Sequence, residues 1–137
     1  MRQRSGRLVL DMAGQGIAEI TDGLETWVAE SGFAQGLLTV WCRHTTASLL
    51  THERGNPAAV NETLAALRRM TADLAPRRSR DPRGDLLTHV RAASMSAHLS
   101  IPLIEGRLML GLRQGVYLIE HRPTPQERRL ALHLLGE

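Results

Sequence analysis

Lysine is missing from this chain, and all 17 of its basic residues are arginine. That excludes Schiff-base catalysis and the lysine of a phosphate-binding P-loop. Cysteine is nearly missing too: Cys42 is the single thiol, so neither an internal disulfide nor a multi-thiolate metal cage can form, and a reducing compartment fits. Aromatic residues make up only 3%. The core must therefore come from Leu, Val, Ile, Ala and Met, and there is little to stack on nucleic-acid bases. The arginine-rich stretch APRRSRDPRGD, with Arg77, Arg78, Arg80 and Arg83, reads as a solvated loop rather than a nucleic-acid site, although such arginines could hold the phosphates of a small ligand. No long apolar run follows the basic opening MRQRSGRLVLDMAGQG, which is too polar for a signal-peptide core or a membrane span. A cytoplasmic location without membrane attachment is the expectation.

What is present is an ordinary globular composition. In 137 residues, 42% are hydrophobic and 23% charged, enough for one domain spanning 1–137 with a real core. RLVLDM reads as an opening strand and ITDGLETWVAESG as a short helix with Thr21 as its N-cap. GLLTVWCRH alternates strictly, placing Leu38, Val40, Cys42 and His44 on one face, and SLLTHE can extend or pair behind it. Asn56 followed by Pro57 opens the clearest helix, which keeps helical spacing up to Pro76. A second helix follows over roughly Asp85 to Met95. LSIPLI, a tight turn at Glu105 and Gly106, RLMLGL, GVYLIEH and LALHLL are strand material. No repeat or linker divides the chain, and the order of elements predicts an α+β fold with an antiparallel or mixed sheet.

Three polar residues stand where apolar ones belong. His44 ends the apolar face of its strand, and Glu120 ends the face formed by Gln114, Val116 and Leu118. A carboxylate there is costly unless paired; either both groups reach solvent at their strand ends, or they meet each other, a metal or a ligand, which would be the cheapest way to bury them. His89 sits on the apolar side of its helix. His52, His98, His121 and His133 carry less signal, with His121 pointing to the face opposite Glu120. Cys42 is in phase with His44 but reads as an inert core thiol.

The pieces HTTASL followed by Glu53, NP opening a helix, GD and His89, SIPLIEGRLMLG, Gln114, GVYLIEHR and a terminal GE together resemble the YjbQ family, whose members carry the assignment of secondary thiamine-phosphate synthase. The resemblance runs from about Asp11 to Glu137. It implies an α+β sandwich of two mixed or antiparallel sheets with two to three helices, assembled as a homotrimer with sites near subunit boundaries. Carried over residue by residue, it implies that His44, His89 and Glu120 are catalytic or bind a divalent metal, zinc or magnesium. It also implies that Thr45, Thr46, Ser48, Glu53, Ser100 and Gln114 contact substrate.

The chain departs from the family pattern in places. Arg54 and Asn56 replace an amide and a carboxylate before the long helix, Gly84 replaces one of a pair of aspartates, and Leu112 and Arg113 stand where the family has Thr and Trp. HRPTPQERR replaces the common Asp-Gly-Pro-Arg. The implied reaction joins a pyrimidine methyl diphosphate to a thiazole phosphate and expels pyrophosphate, which demands positioning of two phosphorylated partners and stabilisation of the leaving group. A trimeric binding module, or an enzyme for another phosphorylated or anionic metabolite, is the alternative.

Overall fold

The computed structural model describes residues 1–74 and 85–137. Arg77, Arg78, Arg80 and Arg83 lie outside the described residues, and the long helix ends at Thr71, passing into a 3-10 turn at Ala72–Leu74 rather than keeping α-helical form up to Pro76. The elements run β1 (Arg2–Met12), β2 (Gly16–Glu19), α1 (Thr21–Ala29), β3 (Gly36–Cys42), β4 (Ala47–Glu53), α2 (Pro57–Thr71), α3 (Leu86–Ala93), β5 (His98–Ile104), β6 (Arg107–Leu108), β7 (Gln114–Glu120) and β8 (Gln126–Gly136). Five strands form one sheet in the order β1-β8-β3-β5-β6, and three form a second in the order β2-β7-β4. Every pairing is antiparallel. The fold is α+β, as the sequence predicts.

The alternation of β3, β7 and β8 dictates the layers. Leu38, Val40, Leu130, Leu132 and Leu134 of the large sheet meet Leu49, Val116 and Leu118 of the small one in the main core, where aliphatic side chains interlock face to face. The other face of the small sheet presents Tyr117 and Ile119 to Val60 and Leu64 of α2 in a second core. The stripe Val60, Leu64 and Leu67 is what turns α2 inward. Asn56 Oδ1 accepts the Ala59 N–H at 3.1 Å, with Pro57 at the first helical position, the start the sequence announces. Glu105 and Gly106 both have positive φ, 51° and 74°, the geometry of a tight hairpin turn.

Several boundaries differ from expectation. β1 extends back to Arg2 because it pairs along its whole length with β8, so ladder hydrogen bonds override its polar opening. β2 has no strong strand signature and exists by pairing with β7. β6 is two residues long rather than the whole of RLMLGL. Thr21 is the first residue of α1, and the N-cap position falls on Ile20 with no side-chain cap. The Thr21 hydroxyl instead donates to Glu19 Oε2 at 2.7 Å and accepts the Val116 N–H at 2.9 Å. Among the described residues no helix is long and apolar enough to cross a membrane.

Candidate functional site

β4 and β7 pair so that Ala47 faces Glu120 and Ser48 faces Ile119. Glu120 therefore ends the inward face of β7, where it is 0% exposed. Its partner comes from β8: Arg128, 4% exposed, places Nε 2.5 Å from Oε2 and Nη2 2.5 Å from Oε1. The Arg122 N–H donates to Oε1 at 2.9 Å. This is a two-pronged, buried, charge-assisted pair. Both carboxylate oxygens are engaged, and a guanidinium occupies the place where a cation was expected. A divalent-metal centre was expected at His44, His89 and Glu120; no group of three His, Cys, Asp or Glu side chains able to hold an ion exists among the described residues. Glu120 acts here as an anchor for Arg128.

Arg128 in turn fixes the turn that follows β3. Its Nη2 donates to Thr46 Oγ1 at 2.8 Å and reaches the Thr46 carbonyl at 3.3 Å, and the His121 N–H donates to that carbonyl at 3.2 Å. Two imidazoles grip the same turn. His89 Nδ1 lies 3.1 Å from the Thr45 carbonyl, so Nδ1 carries the proton of that hydrogen bond. His44 Nε2 accepts the Arg129 N–H at 2.8 Å, which puts the proton of that ring on Nδ1. Burial and the nearby Arg128 guanidinium hold His44 below the usual imidazole value. A neutral ring at pH 7 is the form this hydrogen bond requires. His44 and Thr45 line an open cavity of about 490 Å³ with Trp41, Cys42, Arg43 and Ala97. The Cys42 thiol is buried, pushed up by that burial, and directed to the Ala47 carbonyl at 3.6 Å, an inert placement.

Thr46 and Ser48 are buried, at 5% and 0%, and both hydroxyls are occupied. Thr46 Oγ1 accepts from Arg128, and Ser48 Oγ lies 3.1 Å from the Ala92 carbonyl of α3 and 3.0 Å from His121 Nε2. Of the three hydroxyls expected to meet a phosphate, only that of Thr45 is exposed. His121 is the residue that sequence reading undervalued. It is 3% exposed, on the outward face of the small sheet beyond Tyr117 and Ile119. Burial first, then the Arg68, Arg91 and Arg128 guanidiniums, press its pKa down to about 4 against the pull of Glu120. The signal was available, since alternation that sends Glu120 inward sends His121 under the helices.

Glu53 and Gln114 face each other at the opposite end of the same ladder. Six residues of strand at about 3.4 Å each put them roughly 20 Å from Ala47 and Glu120. Gln114 Oε1 accepts the Gly111 N–H at 3.0 Å, and the Glu53 carbonyl accepts from the Tyr117 hydroxyl at 2.6 Å. Ser100 pairs with Thr39 and is exposed on the outer face of the large sheet. One chain thus gathers His44, Thr45, Thr46, Ser48, His89 and Glu120 at one end and leaves Glu53, Gln114 and Ser100 elsewhere.

The class these features define is a small α+β sandwich of two antiparallel sheets with a helical layer over the smaller, carrying a histidine-bearing turn at one end of that sheet. Residues 7–137 match the family model described as UPF0047 protein YjbQ-like, and the chain belongs to that family. It is 35% identical over 142 residues to UPF0047 protein sll1880 of Synechocystis, covering 99% of this chain and 94% of that protein. It is 29% identical to UPF0047 protein YjbQ of Escherichia coli O157:H7, over 95% of this chain and 96% of that one. Among solved structures, a hypothetical protein from Aeropyrum pernix K1 superposes with TM-score 0.83 at 26% identity, covering both chains in full. A YbjQ-like protein of unknown function from Sulfolobus solfataricus P2 also gives 0.83, at 23% identity, over 99% of this chain and all of that one, a likeness of fold alone.

Proposed function

We propose that this protein is an enzyme acting on phosphorylated small molecules, with thiamine-phosphate synthesis as the reaction to test first. The observation that carries the reading is the pair of imidazoles at a single turn, His44 lining an open cavity and His89 bonded to the Thr45 carbonyl. In that reaction the bond from the pyrimidine methylene carbon to the diphosphate oxygen breaks as the thiazole nitrogen bonds to the same carbon. The electron pair leaves with pyrophosphate. His44 Nδ1–H is a neutral donor suited to the leaving oxygens, Thr45 a second, and the Glu120–Arg128 pair keeps the turn in place.

The test is product formation from the two phosphorylated substrates by the purified full chain, beside His44→Ala and His89→Ala. A loss of about 100-fold or more in kcat/KM for either variant, with thermal stability retained, is expected for a group that assists the departing charge. Turnover unaffected by both variants would move the chemistry elsewhere.

Assembly belongs to the same proposal. Among the described residues no layer covers the outer face of the large sheet, and it exposes Val9, Leu37, Trp41, Ile104 and Leu135 at 43 to 52%. A homotrimer covering part of that face would also allow Glu53 and Gln114 of a neighbouring copy to approach the His44 turn. Sedimentation equilibrium tests this, with a trimer mass expected and a monomer at working concentration overturning it.

A further inference from the structure

Where α2 and α3 pack over the small sheet, positive charge gathers without a counter-ion among the described residues. Arg68 lies four residues after buried Leu64 and three before buried Thr71, at the flank of the stripe that turns α2 inward. It is half-buried. Its guanidinium has no hydrogen-bond acceptor and no carboxylate among the described residues, where most arginines of similar burial have one. Burial and the neighbouring Arg91 cation both disfavour its charge. Arg91, on α3, reaches across the helix pair with Nε 3.0 Å from Thr71 Oγ1 and Nη2 3.5 Å from the Arg68 carbonyl. Its partners are neutral oxygens, so its charge is likewise uncompensated. Both cations bear on the buried His121 ring. The nearest acid to that ring in sequence, Glu120, is already paired with Arg128.

Two partly desolvated guanidiniums that repel each other, each lacking an anion among the described residues, are stable together chiefly if an anion joins them. The planar fork of arginine, doubled, fits the oxygens of a phosphoryl group, whereas a single carboxylate would satisfy only one fork. We propose that Arg68 and Arg91 together bind the phosphoryl group of the ligand, at the seam between the C-terminal half of α2 and α3 beside His121. This rests on the reading of a phosphorylated substrate and assigns that substrate's charge to residues outside the HTT turn, where two of the three hydroxyls are buried and engaged. Neither arginine drew notice in the sequence, because both sit in helices where a solvated charge is unremarkable.

The test is calorimetric titration of the full chain with inorganic phosphate and with pyrophosphate at low salt, for the wild type, Arg68→Gln, Arg91→Gln, the double variant, and Arg7→Gln. The last removes the same charge from the exposed outer face of the large sheet. Binding by the wild type, weakened tenfold or more in each helix variant and unchanged in Arg7→Gln, is the expected result. Absence of binding by the wild type, equal weakening in Arg7→Gln, or undiminished binding in the double variant would overturn the proposal. Arg68→Gln removes no side-chain hydrogen bond or ion pair among the described residues, so it keeps the test decisive even if Arg91→Gln folds poorly. The thiamine-phosphate assay separates the two readings. Turnover with unaltered KM in the double variant removes the arginine site and leaves the activity. Pyrophosphate binding lost in the variants without any turnover keeps the site and removes the reaction.

Discussion

The two ends of the β4–β7 ladder use the same chemistry, carboxylates held by guanidiniums and hydroxyls, in opposite surroundings. At the Ala47–Glu120 end the pair is dry: Glu120 and Arg128 have side-chain exposures of 0% and 5%. At the Glu53–Gln114 end the charges meet water. There Arg54 reaches from the β4–α2 connection to Asp22 at 2.8 Å and Glu25 at 2.9 Å on α1, with the Asp22 side chain 91% exposed. Between the two extremes lies Glu19, whose carboxyl is pushed up by burial but held lower overall by the Gly55 N–H and the Thr21 and Tyr117 hydroxyls. Desolvation makes a buried pair expensive to form and far more expensive to break, while solvent makes an exposed pair nearly neutral either way. Equal-looking ion pairs should therefore differ greatly when one partner is removed.

The sharpest test of that contrast is Arg128→Met, which leaves the Glu120 carboxylate buried without its cation and also frees the Thr46 hydroxyl and carbonyl. A loss of about 3–5 kcal/mol in urea-unfolding free energy is expected. Adding Glu120→Gln should recover part of it, because the double variant no longer buries a bare charge. If the single variant loses less than about 1 kcal/mol, the two ends are energetically alike and the contrast fails.

Next in size is the acid sensitivity of the dry end. The His121 pKa is depressed to about 4 in the folded chain, against an unfolded value of about 6.5. The folded protein thus resists a proton that the unfolded chain accepts. The stability tied to the neutral ring is complete above about pH 6.5 and declines as pH falls toward 4. At about 1.4 kcal/mol per pH unit, the loss by pH 4 is roughly 3 kcal/mol. His44 shifts in the same direction. Unfolding free energies of the wild type and His121→Asn, measured from pH 7.5 down to pH 4.5, should show a steeper decline for the wild type. Parallel curves would mean that His121 is not held neutral.

A smaller effect belongs to the intermediate ground. The Tyr117 hydroxyl lies 3.0 Å from Glu19 Oε1 and 2.6 Å from the Glu53 carbonyl, tying β2, β4 and β7 together. Tyr117→Phe keeps the ring in the second core and removes only the hydroxyl. A loss of about 1–2 kcal/mol is expected, the range for a partly buried hydrogen bond whose acceptors are left behind. A change within error would show that water replaces the hydroxyl freely.

Alternation made much of this readable beforehand. It placed Val116, Leu118 and Glu120 on one face and Leu38, Val40 and Cys42 on another, and helical spacing with Asn56 and Pro57 announced α2. What alternation could not supply was the partner. Glu120 needed a cation, and the sequence offered His44 as its companion strand end, whereas β8 delivers Arg128 in register from the far side of the sandwich. That juxtaposition depends on the β3–β8 pairing, which joins residues some ninety positions apart in sequence. For the same reason Glu53 and Gln114, which the family resemblance assigns to substrate along with the histidine turn, lie at the opposite end of the ladder. β2 escaped notice because GIAE has little strand character without β7 beside it.

The smallest expected effect is at the wet end. Arg54 makes three hydrogen bonds to two acids, which by count rivals the four that Arg128 makes to Glu120 and Thr46. Yet its side chain is 36% exposed and its partners more so, and the side-chain order needed to hold the clamp offsets most of the Coulomb gain in high dielectric. Arg54→Ala should therefore lose less than about 1 kcal/mol, and the loss should shrink further at 1 M salt, where the screening length falls to about 3 Å. The Arg128→Met loss should change little over the same salt range, because ions do not reach that pair. If instead the two losses respond to salt alike, burial is not what separates the two ends, and the difference must lie in the local backbone that each arginine supports.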